Sequence, residues 1–144
     1  MAVFQDDPEV PFTEEDYRRR KPHPNFKGHI SAEKLVIKLG KTNKSKLVTY
    51  VVAAGLTYGH GEDIFHYLFK AAWLGETEAL QCFGSGNNVL PTIHIRDLAN
   101  VLVNIADQKP RVRYLLVVDD ASSTLEDIVH VCSLQDPNNN NKIS

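Results

Sequence analysis

The chain has 144 residues, of which 42% are hydrophobic and 24% charged, and this is the composition of one soluble globular domain. Its formal net charge of −2 gives no electrostatic reason to expect a nucleic acid or an anionic membrane as partner. No apolar run reaches the roughly 20 residues that span a bilayer, and the acidic N-terminus does not resemble a signal peptide. Because Cys82 and Cys132 imply no disulfide framework, we expect a cytoplasmic domain with reduced thiols.

The first third of the chain is predicted to contain a loop, a helix and a strand. Residues 1–24 are rich in proline and charge and are predicted to be loop-like. Residues 31–40 have helical periodicity, with Gly40 as the predicted stop and an inward face of Ala32, Leu35, Val36 and Leu39. Residues 47–54 form a nearly continuous apolar run, which is typical of a strand buried on both faces of a parallel sheet.

The middle of the chain is predicted to form a packed helix, a short strand and a tight turn. Residues 62–74 begin with two acids and are apolar almost all round, so we expect a deeply packed helix. Residues 79–83 form a short strand candidate. Gly84 and Gly86, followed by two asparagines, predict a turn with positive φ angles.

The last third alternates predicted strands and helices. Residues 92–95 are predicted to be a strand, and Asp97 is placed to cap a helix over 97–107. A second buried strand is predicted over 114–118. Thr124 to Asp127 resemble a capping box that opens a helix with four inward residues, namely Leu125, Ile128, Val131 and Cys132. Residues 135–144 are expected to be a disordered polar tail.

The stretch GSGNNVLPTIHIRDLA, residues 84–99, resembles the closing motif of the extended short-chain dehydrogenase/reductase family, the NAD-dependent epimerases and dehydratases. The resemblance gives a structural role to four residues, namely Gly84, Gly86, His94 and Asp97. It implies an α/β fold, with residues 25–134 forming the C-terminal half of a Rossmann-like domain, a parallel sheet with packed helices. No glycine-rich turn that would hold a dinucleotide pyrophosphate opens a helix in this sequence.

The family's catalytic pair, Tyr-x-x-x-Lys, is replaced in this sequence. By the alignment that the resemblance gives, its positions fall on Asn25 and His29. Asparagine exchanges no proton near neutral pH, and neutral histidine supplies no fixed positive charge. Tyr17 and Lys21 have the same interval and offer a second register, which Pro22 and Pro24 oppose because proline interrupts a helix.

The resemblance implies two further departures at the ligand positions. Leu90 stands where the family places an arginine that holds substrate phosphate, so a bidentate contact is lost. The positions beside the nicotinamide correspond to Ala54, Gly55 and Leu56, which are weak candidates for cofactor binding. NAD or NADP is therefore expected only if a missing N-terminal half is supplied.

The sequence predicts no metal site. The histidines at 60, 66 and 130 lack ligand spacing with a carboxylate or a cysteine. Asp119 and Asp120 follow a predicted strand and could bind magnesium, although acids at such a position more often turn the chain.

Three further stretches, PFTEEDYRRRKPHPNFKGHISAEKLVIKLGK, TYVVAAGLTYG and IFHYLFKAAWLGE, resemble the amino-terminal region of a cilium-associated member of the adenylate kinase family. That resemblance implies a degenerate, non-catalytic scaffold or docking domain of a nucleoside monophosphate kinase, with a protein partner, axonemal or cytoplasmic. The alternative is an epimerase-type domain that still binds NAD or a nucleotide sugar. An exposed sheet edge would in addition favour self-association.

Overall fold

The computed structural model describes residues 2–3, 14–74, 80, 82, 84–121 and 123–133. The chain is α/β and divides into two compact units, the first formed by Met1–Ala53 and Gln108–Leu116 and the second by Ala54–Asp107 and Val117–Ser144. Within the described ranges, no helix is long and apolar enough to cross a membrane.

The first unit is built around one long helix, α1, over Lys27–Thr42. Strand β1 (Ala2–Val3) pairs antiparallel with β2 (Lys21–Pro22). Two 3-10 helices, Glu14–Arg18 and Pro24–Phe26, lead into α1. Strand β3 (Val51–Ala54) forms a two-stranded sheet with β6 (Tyr114–Val117). In this unit Val51 N–H donates to the Arg113 carbonyl oxygen over 2.9 Å.

Helix α1 is longer than the sequence pattern predicts, because Gly40 does not end it. The helix continues to Thr42, and the N–H of Asn43 donates to the Leu39 carbonyl oxygen over 3.0 Å. Gly40 is needed for a different reason: a Cβ there would overlap the Thr49 hydroxyl. That hydroxyl donates to the carbonyl oxygen of Val36 over 2.9 Å, so residue 49 is held directly against the helix backbone.

The predicted inward face of α1 was wrong. Ile30 and Ile37 are buried, whereas Leu35 is 56% exposed and Leu39 43% exposed. The residues Ile30, Lys34, Ile37, Lys41 and Lys44 follow one another at intervals of three or four and therefore form one stripe of the helix and its C-terminal turn. The sequence offers two apolar stripes, and the branched isoleucines are the ones that pack.

The second unit combines a parallel strand pair with three helices. Strand β4 (Leu56–Tyr58) pairs parallel with β5 (Thr92–His94), in a register that places Thr57 opposite Ile93. The helices are α2 (His66–Leu74), α3 (Ile95–Gln108) and α4 (Leu125–Ser133). Val129 and Cys132 of α4, exposed by 0% and 1%, pack with Leu68 and Ala72 of α2 in the core.

Several predicted elements differ from the structure in length and burial. Strand β3 covers only 51–54 of the predicted 47–54, and its residues are half-buried or exposed rather than covered on both faces. Helix α2 begins at His66 and is not deeply packed, because only Leu68 and Ala72 are buried. Trp73 on the same helix is 65% exposed. Most of the predicted strand 79–83 lies outside the described residues.

Other predictions are confirmed. Gly84 and Gly86 adopt positive φ angles of 66° and 69°. The capping box forms: Asp127 accepts from the Thr124 N–H over 2.8 Å, and the Thr124 hydroxyl accepts from the Asp127 N–H over 3.1 Å. Helix α4 then turns Val129 inward and leaves the predicted core residue Val131 54% exposed.

Candidate functional site

A pocket of about 420 Å³ lies in the second unit, beyond the carboxyl end of β4 and beside α4. Its apolar wall is formed by Phe65 and Phe69 from the region of α2 and by Ile128, Val131 and Cys132 from α4. Crevices at the carboxyl ends of parallel strands are the usual ligand sites of α/β proteins, because loops there leave the sheet on different sides. This pocket is therefore the first candidate for a functional site.

Asp119 is the centre of the polar side of the pocket. Its carboxylate accepts from the Thr92 hydroxyl over 3.3 Å and from the His94 backbone N–H over 3.3 Å. Its own N–H donates to the Thr92 carbonyl oxygen over 2.7 Å. The acid that follows β6 thus ties the segment after that strand to β5, which is a structural use of its charge.

Tyr58 closes β4 and lines the pocket next to Asp119. The Asp119 carboxylate, acting as hydrogen-bond partner, raises the pKa of the Tyr58 phenol above its ordinary value, and burial and the charge of Asp97 raise it further. The ring of Tyr58 meets the His94 imidazole edge-on at 5.2 Å between centroids. A tyrosine in this setting keeps its proton near neutral pH, so it is unsuited to act as a base.

Two other carboxylates line the pocket. Asp127 is held by the capping box of α4, and the hydrogen bonds from Thr124 lower the pKa of its carboxyl group. Glu62 accepts from the Thr57 hydroxyl over 3.3 Å.

Burial raises the pKa of the Cys132 thiol to about 11, so this cysteine is not a nucleophile near neutral pH.

The electrostatic character of the pocket is acidic. Three carboxylates, Glu62, Asp119 and Asp127, line it, and no lysine or arginine is among its described lining residues. The described residues contain no group of three histidine, cysteine or acidic side chains that could hold a metal ion. The described lining of the pocket therefore offers apolar contact and negative charge, without the lysine or arginine side chains that bind phosphate.

The two positions that the family resemblance assigns to a catalytic pair, Asn25 and His29, belong to the first unit and are not among the described lining residues of this pocket. Asn25 lies in the 3-10 helix Pro24–Phe26, and its backbone N–H donates to the His23 imidazole over 3.3 Å. His29 lies in the first turn of α1, where its ring is 5.5 Å from that of Phe26. Both side chains are exposed.

The alternative pair, Tyr17 and Lys21, does not share a helix. Tyr17 lies in the 3-10 helix Glu14–Arg18, and Lys21 belongs to β2. The Tyr17 ring stacks on Tyr114 with centroids 4.4 Å apart and planes 3° apart. Because the chain changes from helix to strand between the two residues, they do not lie one turn apart on a helix, as the second register requires.

The weak cofactor positions have a packing role in the structure. A Cβ on Gly55 would lie 2.6 Å from the Pro91 carbonyl oxygen, so glycine allows the chain to pass β5 closely. Its N–H donates to the Val117 carbonyl oxygen over 2.9 Å, and the N–H of Leu56 donates to the Pro91 carbonyl oxygen over 2.7 Å. Ala54 is exposed.

The four motif residues all lie in the second unit, and His94 makes the capping hydrogen bond that the sequence pattern predicts for Asp97. The His94 imidazole accepts from the Arg96 N–H over 3.2 Å, which caps α3, while Asp97 lies in the first turn of that helix. Gly84 is exposed, and Gly86 is buried against Cys82 and Glu126. Leu90, which the family resemblance aligns with an arginine, is half-buried, and its N–H donates to the Ser123 carbonyl oxygen over 3.0 Å.

Sequence reasoning missed the acidic lining of the pocket. The sequence pattern predicts only that Glu62 and Asp127 are acids at the start of a helix. For Asp127 the capping box of α4 confirms that prediction. Glu62 and Asp127 line the same pocket as Asp119 because the segments that follow β4 and β6 and the start of α4 come together within the second unit. A signal was present in the sequence, since the residues from 54 to 107 and from 117 to 144 carry 11 acids against three lysines and arginines.

These features define an α/β chain with an acidic, apolar-walled pocket, and comparison with known proteins adds the particular likeness. No family model matches the chain, and no solved structure matches it. The chain is 59% identical to mouse (Mus musculus) adenylate kinase 7 over 128 residues, which is 89% of this chain and 21% of that protein. It is 53% identical to adenylate kinase 7 of Macaca fascicularis over 104 residues, 72% of this chain and 19% of that protein. The chain thus spans about a fifth of the length of these relatives.

Proposed function

We propose that this chain is a non-catalytic, dehydrogenase-like α/β domain that acts as a scaffold or docking module within a protein of the adenylate kinase 7 type. The identity to the mouse and macaque proteins supports the choice of parent protein. The likeness of residues 84–99 to the extended short-chain dehydrogenases supports a Rossmann-like half-domain. The reaction that the relatives' name implies, ATP and AMP to two ADP, would belong to another part of such a protein, because no phosphate-binding glycine loop opens a helix here.

The acidic pocket is the observation that carries the non-catalytic assignment. NAD and nucleotide sugars bring a diphosphate, which proteins bind with arginine, lysine or helix N-terminal N–H groups. The pocket instead presents Glu62, Asp119 and Asp127, without a lysine or arginine among its described lining residues. Like charges in a partly apolar pocket repel, so a diphosphate is disfavoured there. Leu90 in place of the arginine has the same effect.

The residues at the two aligned catalytic positions are unsuited to the catalytic step. A dehydrogenase of this family needs a tyrosine whose pKa is lowered by a nearby lysine, and Asn25 and His29 stand at those two positions. The tyrosine that does line the pocket, Tyr58, has its pKa raised by Asp119. An epimerase-type reaction would therefore lack its acid and base even if a cofactor were bound.

Enzyme assays with the purified chain test the proposal. We expect no turnover with NAD or NADP and a panel of nucleotide sugars, and no saturable heat of binding for these ligands in calorimetry. We also expect no ADP from ATP and AMP. Turnover that Asn25→Ala abolishes would overturn the proposal, as would ADP formation that persists after a second purification step removes contaminating kinases.

The docking role places the chain with a protein partner in the cytoplasm or at the axoneme of a cilium. This part of the proposal rests on the resemblance of the sequence to a cilium-associated adenylate kinase, and it has its own measurement. A fluorescently tagged chain in ciliated cells should mark the cilium, whereas even labelling of nucleus and cytoplasm would speak against axonemal docking.

A further inference from the structure

The charges of this chain are divided between its two units. The first unit carries 13 lysines and arginines against seven acids, and the second carries three against 11. Their net charges are therefore +6 and −8, which together give the −2 of the whole chain. Because attraction between a protein and its partner depends on local charge, the first unit is a strongly basic body despite the acidic total.

A basic groove follows α1 on the surface of the first unit. It consists of two hollows of about 420 and 240 Å³ that share Ile37 and Lys41. The larger hollow is also lined by Lys44 and Arg113, and the smaller one by Lys34. From Lys34 to Lys44 the groove follows the helix for roughly 15 Å, which an extended peptide covers with about five residues.

The three lysines of the basic groove are available to a ligand, whereas Arg113 is engaged by an aromatic ring. Lys34, Lys41 and Lys44 are exposed and form no ion pair within the described residues. The Arg113 guanidinium lies over the Tyr50 ring at 4.8 Å, and its Nη1 is buried without a hydrogen-bond partner in the described part of the chain. The single acid lining either hollow, Glu33, is bound by Arg20 at 2.5 Å.

The floor of the groove favours a peptide over a nucleic acid. Leu47 and Val48 line the larger hollow and are 42% and 47% exposed, so apolar side chains have a surface to contact. Single-stranded nucleic acids bind by stacking bases on free aromatic faces. Here Tyr17 already stacks on Tyr114, and Tyr50 already lies under Arg113. Base stacking would have to displace these partners.

The geometry points to an acidic, partly apolar peptide segment of a partner protein as the ligand of the basic groove. Its carboxylates would pair with Lys34, Lys41 and Lys44, and its apolar side chains would contact Leu47 and Val48. This inference rests on the proposed docking role and specifies the chemistry of the docked partner. The cations sit on a concave surface with an apolar floor, and that arrangement suits a segment lying in the groove better than a flat lipid headgroup layer.

A binding assay with matched variants tests the groove. The probe is a fluorescein-labelled peptide of about ten residues that alternates glutamate with valine, twice the length that the groove covers. We expect saturable binding by the 144-residue chain that weakens as salt is added. Replacing Lys41 and Lys44 together by glutamate should weaken binding by roughly tenfold or more. Lys38→Glu is the matched control for the single variant Lys41→Glu, because Lys38 is exposed on the same helix and does not line either hollow.

Three outcomes would overturn the proposal that the basic groove binds an acidic peptide. They are the absence of binding by the native chain, an equal loss with Lys38→Glu and Lys41→Glu, and equal affinity for a peptide with glutamine in place of glutamate. Tighter binding of oligothymidylate or of vesicles containing phosphatidylserine, compared at equal charge, would assign the basic surface to a different class of partner and would also overturn it.

Chemical cross-linking tests the same proposal with the native chain, so the result does not depend on whether a variant folds. A carbodiimide joins a peptide carboxylate to a lysine amine as an amide, with the carbodiimide taking up the water that is lost. We expect adducts on Lys41 and Lys44 and not on Lys38; a uniform distribution over the lysines would contradict the groove. If the peptide does not bind, the groove proposal fails but the results of the enzyme assays are unaffected. If the chain shows dehydrogenase turnover, the proposed function fails but peptide binding is unaffected. The two failures are therefore distinguishable.

Discussion

His94 joins two elements and shows how one side chain substitutes for another. Its imidazole caps α3 by accepting from the Arg96 N–H, and a Cβ on Gly59 would overlap the same ring. Gly59 has a φ of 90°, so glycine satisfies both the turn and the close approach of His94. The sequence motif indicates a structural role for His94, but it does not indicate that the Nδ1 atom accepts the hydrogen bond from the Arg96 N–H.

The cap of α3 gives a stability prediction. His94→Ala removes the side-chain acceptor for the Arg96 N–H, and we expect it to lower the free energy of unfolding by about 1 kcal/mol. Asp97→Ala removes only a favourable charge in the first turn, which is worth roughly 0.3–1 kcal/mol. Urea denaturation of both variants measures the difference. A larger loss for Asp97→Ala would return the capping role to Asp97.

At the level of single elements, local signals predicted α4 best. The pattern Thr124 to Asp127 specifies a capping box by its own chemistry, and the structure forms it with both reciprocal hydrogen bonds. Elements whose position depends on distant partners were predicted less well. Gly40 looks like a helix stop, yet it remains helical because Thr49, nine residues later, occupies the space that a side chain would need.

Helix α2 shows why hydrophobicity alone does not predict burial. Its sequence is apolar almost all round, which is typical of a helix enclosed on every side. Only Leu68 and Ala72 of this helix are buried, Ala71 packs against the core while partly exposed, and Tyr67 and Trp73 remain mostly exposed. Composition indicates how much apolar surface a helix can bury, but the number of neighbouring elements decides how much it does bury.

The capping box predicts a pH dependence for α4. The Thr124 hydrogen bonds hold the pKa of Asp127 below its ordinary value, so the folded state favours the carboxylate. The stabilisation is therefore present above the unfolded-state pKa, near 3.8, and is lost as the pH falls through the lower folded-state value. Melting temperatures of the native chain and Asp127→Asn should differ at pH 6 and converge on acidification. A constant difference across that range would contradict the assignment.

On the scale of the whole molecule, the α/β class follows from the alternation of apolar runs and amphipathic helices, and the structure confirms it with parallel strands. The division into two units does not follow from that pattern. The first unit takes residues from both parts of the sequence, 1–53 and 108–116, and no local signal marks the boundaries. The pocket carboxylates and the groove lysines were missed because net charge averages over both units.

The exposed apolar surface predicts self-association of the isolated chain. Trp73 on α2 and Val103 on α3 are 65% and 60% exposed, and the described sheets are two-stranded. Light scattering after size exclusion should give a mass above the 16.2 kDa of one chain that rises with concentration. Trp73→Ser should lower that mass more than Val103→Ser, because an aromatic ring buries more area.

A constant mass of one chain in the light-scattering measurement would contradict self-association. A monodisperse monomer with a steep, cooperative denaturant transition would show that these residues close a core of their own. It would also show that the exposed side chains of α2 need no cover.

The separation of charge has a kinetic consequence. At physiological ionic strength the field of an exposed charge fades over roughly 8 Å, so an approaching molecule responds to the nearest surface and not to the sum. A polyanion diffusing toward the first unit is accelerated, and a polycation is accelerated toward the second, although the chain as a whole is almost neutral. Encounter rates are thereby set separately on two parts of one small chain, before any contact has selected the partner.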